Sequence, residues 1–377
     1  MFDALQIRSR LRDYSVEFVT SFAAPLASHV NDGAFVVCDA NVFQRYRKDI
    51  EGSVPPERLL LVEAHESNKT LDKCQEIIEL LVGKRIRRNH TLVAIGGGIT
   101  EDITAFTASI IYRGIDWVFF PTTLLAQADS CIGSKTSINL GKAKNLVGGF
   151  YPPAAVYIDA RFLDSLTVDD VKSGIGEIMH FYLYSDSPML RRLITDYGTL
   201  IEDRSLLSEY IRESLAIKQR VIEIDEFDRG ERQKFNYGHT FGHALESATD
   251  YEVSHGQAVT VGMDLANYLS VCGGLLTSQR FDELHALLTV NFPYFAWKEL
   301  DLDQYMDLLS ADKKNTGDDL TCILSAGPGR LLKARFPMDT GFKDLVRRYF
   351  ADPLGVTPEE ESGELLPTVV ADPQAPV

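Results

Sequence analysis

The 377-residue sequence lacks any run of eighteen consecutive apolar residues, so no helical membrane span is expected. Charges punctuate its opening stretch, MFDALQIRSRLRDYSVEF, which leaves no apolar core for a signal peptide. Cysteine is scarce: Cys38, Cys74, Cys131, Cys272 and Cys322 are an odd number, scattered and without a CxxC pair. They read as reduced core thiols of a cytoplasmic protein. Positive charge is in deficit, with 38 Lys and Arg against 54 Asp and Glu, a formal charge of −16. A mean field of that sign repels nucleic acid and anionic membrane surfaces, so neither is an expected partner. Internal repeats are absent.

Part of the acidity is segregated. Residues 352–377 hold six acids, five of the 15 prolines and no Lys or Arg. Such a tail buries too little apolar surface to offset its ordering entropy, and it is expected to be disordered, with a short docking peptide around Leu365 and Leu366 as the alternative. Without it the body carries about −10.

What is present is a change of texture along the chain. Ala34–Asp39, Leu59–Glu63, Thr91–Gly97, Trp117–Pro121 and Ala155–Asp159 are short, nearly continuous apolar runs. Strands buried on both faces of a parallel sheet have that character. Leu71–Val82 and Ile103–Ile111 carry helical spacing between them, so residues 1–160 are expected to form a Rossmann-like, doubly wound α/β domain. Amphipathic patterns then dominate: Val168–Tyr184, Ser205–Glu226, Thr240–Thr249, Gly256–Cys272 and Phe281–Leu288, broken by one strand-like run, Leu320–Ser325. Residues 161–350 are expected to be a mostly helical second domain, and 351–377 the tail.

Three groups of residues carry chemistry. GGGITED, Gly96 to Asp102, follows a strand and opens a helix, so bare backbone and a helix N-terminus face the same point, which suits a phosphate. Thr122 and Thr123 end the next strand, and Asp39 and Asn41 follow the first, positions where open α/β sheets bind ligands. Four of the eight histidines, His180, His239, His243 and His255, fall within one stretch. His239 and His243 share a helical face, and Glu177 lies one turn before His180. A carboxylate and several imidazoles from separate helices suit Zn²⁺ with an open position. Arg113, Lys135, Lys144 with Asn145, Arg232, and Lys313 with Lys314 sit in glycine-rich or polar loops, and Lys218 on a helix. They predict an anionic small-molecule ligand.

These segments resemble the dehydroquinate synthase family, the sugar phosphate cyclases, over roughly residues 35 to 330. The motifs carrying the resemblance are, in order, GGGITED, YRGIDWVFFPTTLLAQADSCIGSKTSINL, GKAKNLVGGFYPP, GIGEIMH, DRGERQKFNYGHTFGHALE, SHGQAVTVGM and ADKKNTG. The resemblance implies a two-domain homodimer holding NAD and one divalent metal, Zn²⁺ ahead of Co²⁺, with Glu177, His239 and His255 as ligands. It implies substrate positions at Asp129, Lys135, Asn145, Lys218, Arg232, Asn236, His243 and one of Lys313 or Lys314, with Arg113 lent to the neighbouring subunit's phosphate. It implies an NAD site at Asp39, Asn41, Glu66, Lys69, Gly97, Gly98, Asp102, Thr122 and Thr123, with Lys135 and Lys144 placed to serve both sites. The chemistry implied is oxidation of a hydroxyl, loss of phosphate, re-reduction, ring opening and intramolecular aldol closure. Arg232, Asn236 and His243 favour a carboxylate-bearing substrate, 3-deoxy-arabino-heptulosonate 7-phosphate. Alternatives are a secondary-metabolism cyclase (on sedoheptulose 7-phosphate or an amino analogue), a metal-dependent alcohol dehydrogenase and a non-catalytic paralogue. Three residues depart from the family pattern: His180 for lysine, Glu101 for glycine and Phe235 for leucine.

Overall fold

The computed structural model describes residues 4–141, 143–312, 315, 319–358 and 367–370. The chain divides into two compact units, one of residues 1–167 and 203–227, the other of 168–202 and 228–377.

The first unit is built on β1 (Leu5–Ile7), β2 (Tyr14–Val19), β3 (Phe35–Asp39), β4 (Leu59–Val62), β5 (Leu92–Gly96), β6 (Trp117–Pro121), β7 (Lys135–Leu140), β8 (Ala143–Phe150) and β9 (Ala155–Asp159). Seven of these form one sheet in the order β1-β2-β9-β6-β5-β3-β4. All its pairings are parallel except β1 with β2. Every residue of β5 and β6 is buried, as their uninterrupted apolar runs require of central strands covered on both faces. Helices Leu71–Gly83 and Gly98–Ile110 supply crossovers. The second begins at Gly98, five residues before its apolar spacing becomes visible. β7 and β8 make a separate antiparallel hairpin whose polar sequence gave no strand signal. It depends on Gly148, where a Cβ would overlap the Thr136 carbonyl.

Helix Leu207–Ile224 belongs to this first unit and not with the helices that flank it in sequence. Polar contacts help hold it there: Ser214 Oγ donates to Ala128 O at 2.9 Å, and Lys218 Nζ pairs with Asp129.

The second unit packs helices Val168–Ser185, Met189–Glu202, His239–Ala248, Ser278–Leu288, Leu302–Ser310 and Thr340–Ala351 around His255–Cys272. That central helix is buried at every residue from Gly256 to Cys272. Several of its polar side chains are bonded within the unit; Tyr237 Oη, for example, donates to Asn267 Oδ1 at 2.6 Å.

β10 (Asp319–Ser325) and β11 (Leu331–Pro337) add an antiparallel pair. The expected disordered tail needs correcting at one point. Thr368–Val369 forms a short strand, β12, on β11, with Val369 opposite Ala334. The free edge of β11 supplies the unpaired backbone groups that recruit it. Leu365 and Leu366 lie outside the described residues. Among those described, no helix is long and apolar enough to cross a membrane.

Candidate active site

Two helix crossings in the second unit bring the titratable groups together. A Cβ on Gly256 would overlap Ser173 O, and one on Gly176 would overlap Gly256 O, so Val168–Ser185 and His255–Cys272 touch backbone to backbone. Glu177 and His255 are the residues next to that contact. Gly262 likewise admits the backbone of Gly238 and Gly242, which seats the start of helix His239–Ala248 on the central helix. Gly238 itself has φ +78, a conformation a side chain would strain.

Three donors converge as a result. Glu177 Oε1 lies 3.3 Å from His239 Nε2 and 3.2 Å from His255 Nε2. Glu177 is 1 % exposed, and that oxygen accepts no hydrogen bond. An orphaned carboxylate oxygen between two imidazole nitrogens is the arrangement a cation completes. Donors at the corners of a tetrahedron around Zn²⁺ stand about 3.4 Å apart, given bonds of about 2.0–2.1 Å. His243 joins the group, with one ring nitrogen of each of His239, His243 and His255 lying within 4.8 Å of the others. The residues therefore fit a divalent ion.

Their outer contacts fix the ring orientations. His255 Nδ1 donates to Glu246 Oε2 at 3.1 Å, and His239 Nδ1 donates to Tyr237 O at 3.2 Å, so both rings present Nε2 inward. Burial opposes ionisation of Glu177, but His239 and His255 outweigh it and hold its carboxyl well below the usual carboxylate range. Burial also opposes a proton on His255, yet the nearby carboxylates of Glu177 and Glu246 outweigh it and raise it to about 10. Both shifts record one property, a strong demand for positive charge at this point.

His180 does not join the donors. It is fully buried, its ring centroid 5.0 Å from that of His239 and within 5.2–6.2 Å of Phe181, Phe235 and Tyr237. Phe235 thus backs the histidine that backs a donor. Arg232 is buried, and Asn236 Nδ2 donates to Gln233 O at 2.8 Å, both on the short helix Glu231–Asn236.

In the first unit the glycine turn meets the expected ends of β3 and β6. Cβ atoms on Gly96 and Gly97 would collide with Thr100 and Thr123, whereas one on Gly98 would meet only Ser130 Oγ, at 3.8 Å. The helix N-terminus is left bare, with its first N–H groups pointing outward, a fit for a dinucleotide pyrophosphate. Asp39 accepts from Asn41 N, and Thr123 Oγ1 from Ala126 N, so both also serve as local caps. Thr122 is buried. Lys69 Nζ contacts Asp102 Oδ2 at 2.5 Å and Asn145 Oδ1 at 2.7 Å. Glu66 Oε1 accepts from Asn139 Nδ2 at 2.8 Å. Lys218 Nζ donates to both Asp129 Oδ1 and Asp129 O, at 2.8 and 2.7 Å. Lys135 is exposed, Lys144 half-buried, and Arg113 exposed. Lys313 and Lys314 lie outside the described residues.

Comparison with known proteins identifies the family. The N-terminal family model of 3-dehydroquinate synthase matches residues 59–173 and the C-terminal one residues 174–315. The 3-dehydroquinate synthase of Helicobacter pylori strain G27 is 36% identical over 292 residues, covering 77% of this chain and 84% of that protein. The chain belongs to the 3-dehydroquinate synthase family. A second member, from Thermoanaerobacter, is 30% identical over 340 residues, covering 87% of this chain and 96% of its own. Among solved structures, a 2-deoxy-scyllo-inosose synthase complexed with carbaglucose-6-phosphate, NAD⁺ and Co²⁺ matches with TM-score 0.83 at 26% identity, covering 92% and 99% of the two chains. A 2-epi-5-epi-valiolone synthase from Streptomyces hygroscopicus shares the fold, with TM-score 0.79 at 24% identity over 94% and 99%.

Within the 3-dehydroquinate synthase frame, two features escaped sequence reasoning. Glu246 orients His255, and a signal for it existed: His239, His243 and Glu246 are spaced i, i+4, i+7 along one helical face. The contact between Glu101 and Ser130 had no such signal, since 29 residues separate them.

Proposed function

We propose that this chain is a sugar phosphate cyclase, a carbon–oxygen lyase acting on 3-deoxy-arabino-heptulosonate 7-phosphate and closing it to 3-dehydroquinate with loss of phosphate. The observation that carries the reading is the convergence of Glu177, His239 and His255, with the Glu177 oxygen 3.2–3.3 Å from a nitrogen of each imidazole, a spacing that suits zinc ligands. When bound, NAD would take and return one hydride and a divalent cation would polarise the oxygen it holds. The residues then do the rest. Glu246 and the Tyr237 carbonyl keep two imidazoles aimed inward. Arg232 suits the substrate carboxylate, with Asn236 and His243 as its polar companions. Lys218 holds the Asp129 carboxylate in one rotamer for contact with a hydroxyl. Lys135, Lys144 and Asn145 suit the departing phosphate, as does one of Lys313 or Lys314.

The homodimer is part of the proposal. Tyr112, Arg113 and Gly114 have consecutive positive φ values of 52, 65 and 111, a sharp turn that supports Arg113 reaching away from its own chain toward a neighbour's phosphate. A cytoplasmic setting accords with five buried free thiols.

The test offers purified protein, with NAD and Zn²⁺ or Co²⁺, 3-deoxy-arabino-heptulosonate 7-phosphate and sedoheptulose 7-phosphate separately. Phosphate release with the first, a product of 3-dehydroquinate mass and no net NADH are expected. Release only with the second would make it a cyclitol synthase, accumulating NADH would make it a dehydrogenase, and inertness toward both would refute the reading.

A further inference from the structure

Two consecutive carboxylates, Glu101 in the first turn and Asp102 just after it, lie near the start of the helix that opens at Gly98, where a bound pyrophosphate would bring more negative charge. Asp102 is compensated: Lys69 Nζ lies 2.5 Å away, and Ser137 N donates to its other oxygen at 2.7 Å. Glu101 is not. It is 6 % exposed, and among the described residues it makes no ion pair; its partner is Ser130 Oγ, 2.5 Å from Oε2. Ser130 Oγ is also the atom nearest to where a Gly98 side chain would start, so the pair abuts the bare turn.

We propose that Glu101 is a proton-gated positioning residue of the dinucleotide site: as the neutral acid beside the Ser130 hydroxyl it leaves the helix N-terminus open to pyrophosphate, and as the carboxylate it opposes binding. The inference rests on the dinucleotide reading of this turn. Of the charged groups around Glu101, Asp102 and Asp129 favour the neutral form and Lys218 the carboxylate. Asp102 faces it from its own helix, Asp129 and Cys131 from the segment after β6, and Lys218 from helix Leu207–Ile224, already engaged by Asp129. Lys69 is engaged by Asp102, Lys135 of β7 is exposed, and Cys74 of the helix Leu71–Gly83 is a buried thiol raised to about 11. Burial, followed by the Asp102 charge, pushes the Glu101 carboxyl up to about 8, while the Ser130 hydrogen bond lowers it. Burial raises Cys131 well above its ordinary value, which removes it as a competing titration near neutral pH.

The sign follows: NAD⁺ affinity holds below the Glu101 midpoint and falls as pH rises through it. Calorimetric titration of the full chain with NAD⁺ from pH 6.5 to 9.5 reads this without turnover. The wild type is expected to lose about tenfold in affinity across that range, the scale of one unscreened charge at close range. E101Q is expected to bind with no such loss. S130A, which removes the bond that favours the carboxylate, is expected to move the midpoint to higher pH, a shift no merely structural role would produce. A wild-type loss that persists in E101Q, or a midpoint unmoved in S130A, overturns the gate alone. Absence of NAD⁺ binding at every pH overturns the dinucleotide reading, and the gate with it.

Discussion

Replacing Gly256 by alanine tests whether backbone contact between two helices places the metal donors. The new Cβ would fall on Ser173 O and also press on the helix carrying Gly176. An ordinary carbon–oxygen contact is about 3.3–3.6 Å, so the helices must part by roughly 1.5 Å to admit it. His255, the next residue, moves with its helix, whereas metal–ligand distances tolerate only about 0.2 Å. The added methyl is expected to cost about 1–3 kcal/mol as overpacking. At about 2–4 °C per kcal/mol, melting falls by roughly 2–12 °C. Metal affinity is expected to fall at least as far as when an orienting partner is lost, about 10–100-fold. Chelator competition with Zn²⁺ and thermal melting of the same preparation measure both effects. Gly83→Ala is the control, because nothing lies within 4 Å of its would-be Cβ. If G256A keeps wild-type affinity and melting temperature, the close crossing is not what places His255, and the account of the site fails at its base.

Three further outcomes are expected. Glu246→Gln leaves a hydrogen-bond acceptor for His255 Nδ1 but removes its charge, so Zn²⁺ affinity in chelator competition should drop about tenfold with little change in melting; an unchanged affinity would deny Glu246 its role. Lys218→Met strips Asp129 of both lysine contacts and should cost about 2–4 kcal/mol in urea denaturation, with the K218M/D129N double variant recovering part of it. Full additivity would show that the pair is not coupled. His285 Nδ1 donates to Asp264 Oδ2 at 2.9 Å and Nε2 to Leu354 O at 3.2 Å, which requires the imidazolium. Burial opposes that charge, but Asp264 outweighs it and raises His285 above its ordinary 6.5. Its stabilisation is therefore full below that value and lost as pH rises through the higher folded one. Wild type should lose urea stability from pH 6 to 9 relative to His285→Gln; parallel curves would refute the assignment.

How much of this could be read beforehand depends on where each element's information resides. β3, β5, β6 and β9 announce themselves because strands covered on both faces must be apolar throughout. The hairpin of β7 and β8 does not, because its sequence is polar and what permits it is the missing side chain of Gly148 against Thr136. Helix Leu207–Ile224 was legible as a helix but not as part of the first unit, since its anchors, Ala128 and Asp129, lie more than 80 residues earlier. At the site, helical spacing placed His239 beside His243. Spacing alone could not decide which of Glu177 and His180 faces His255, because they share a helical face. The glycine crossing decides it: the residue next to Gly176 is carried to the donors, and His180 is left among the aromatic rings.

The charge of the chain leads to a related argument. A formal −16 would discourage an anionic substrate if charge were spread evenly. It is not, yet the buried cations are not simply a reserve for phosphate either. Lys69 is committed to Asp102 and Lys218 to Asp129, each within one buried pair. A phosphate approaching either lysine has to share it with a carboxylate already in place, and the net attraction there is small. Under the proposed reading, the charge for a leaving phosphate is instead assigned to Lys135, Lys144 and the exposed Arg113. The paired lysines do something else: each fixes one aspartate beside the glycine turn or on the segment after β6. Their value lies in geometry, and their replacement should alter where a ligand sits more than how strongly the unit attracts it.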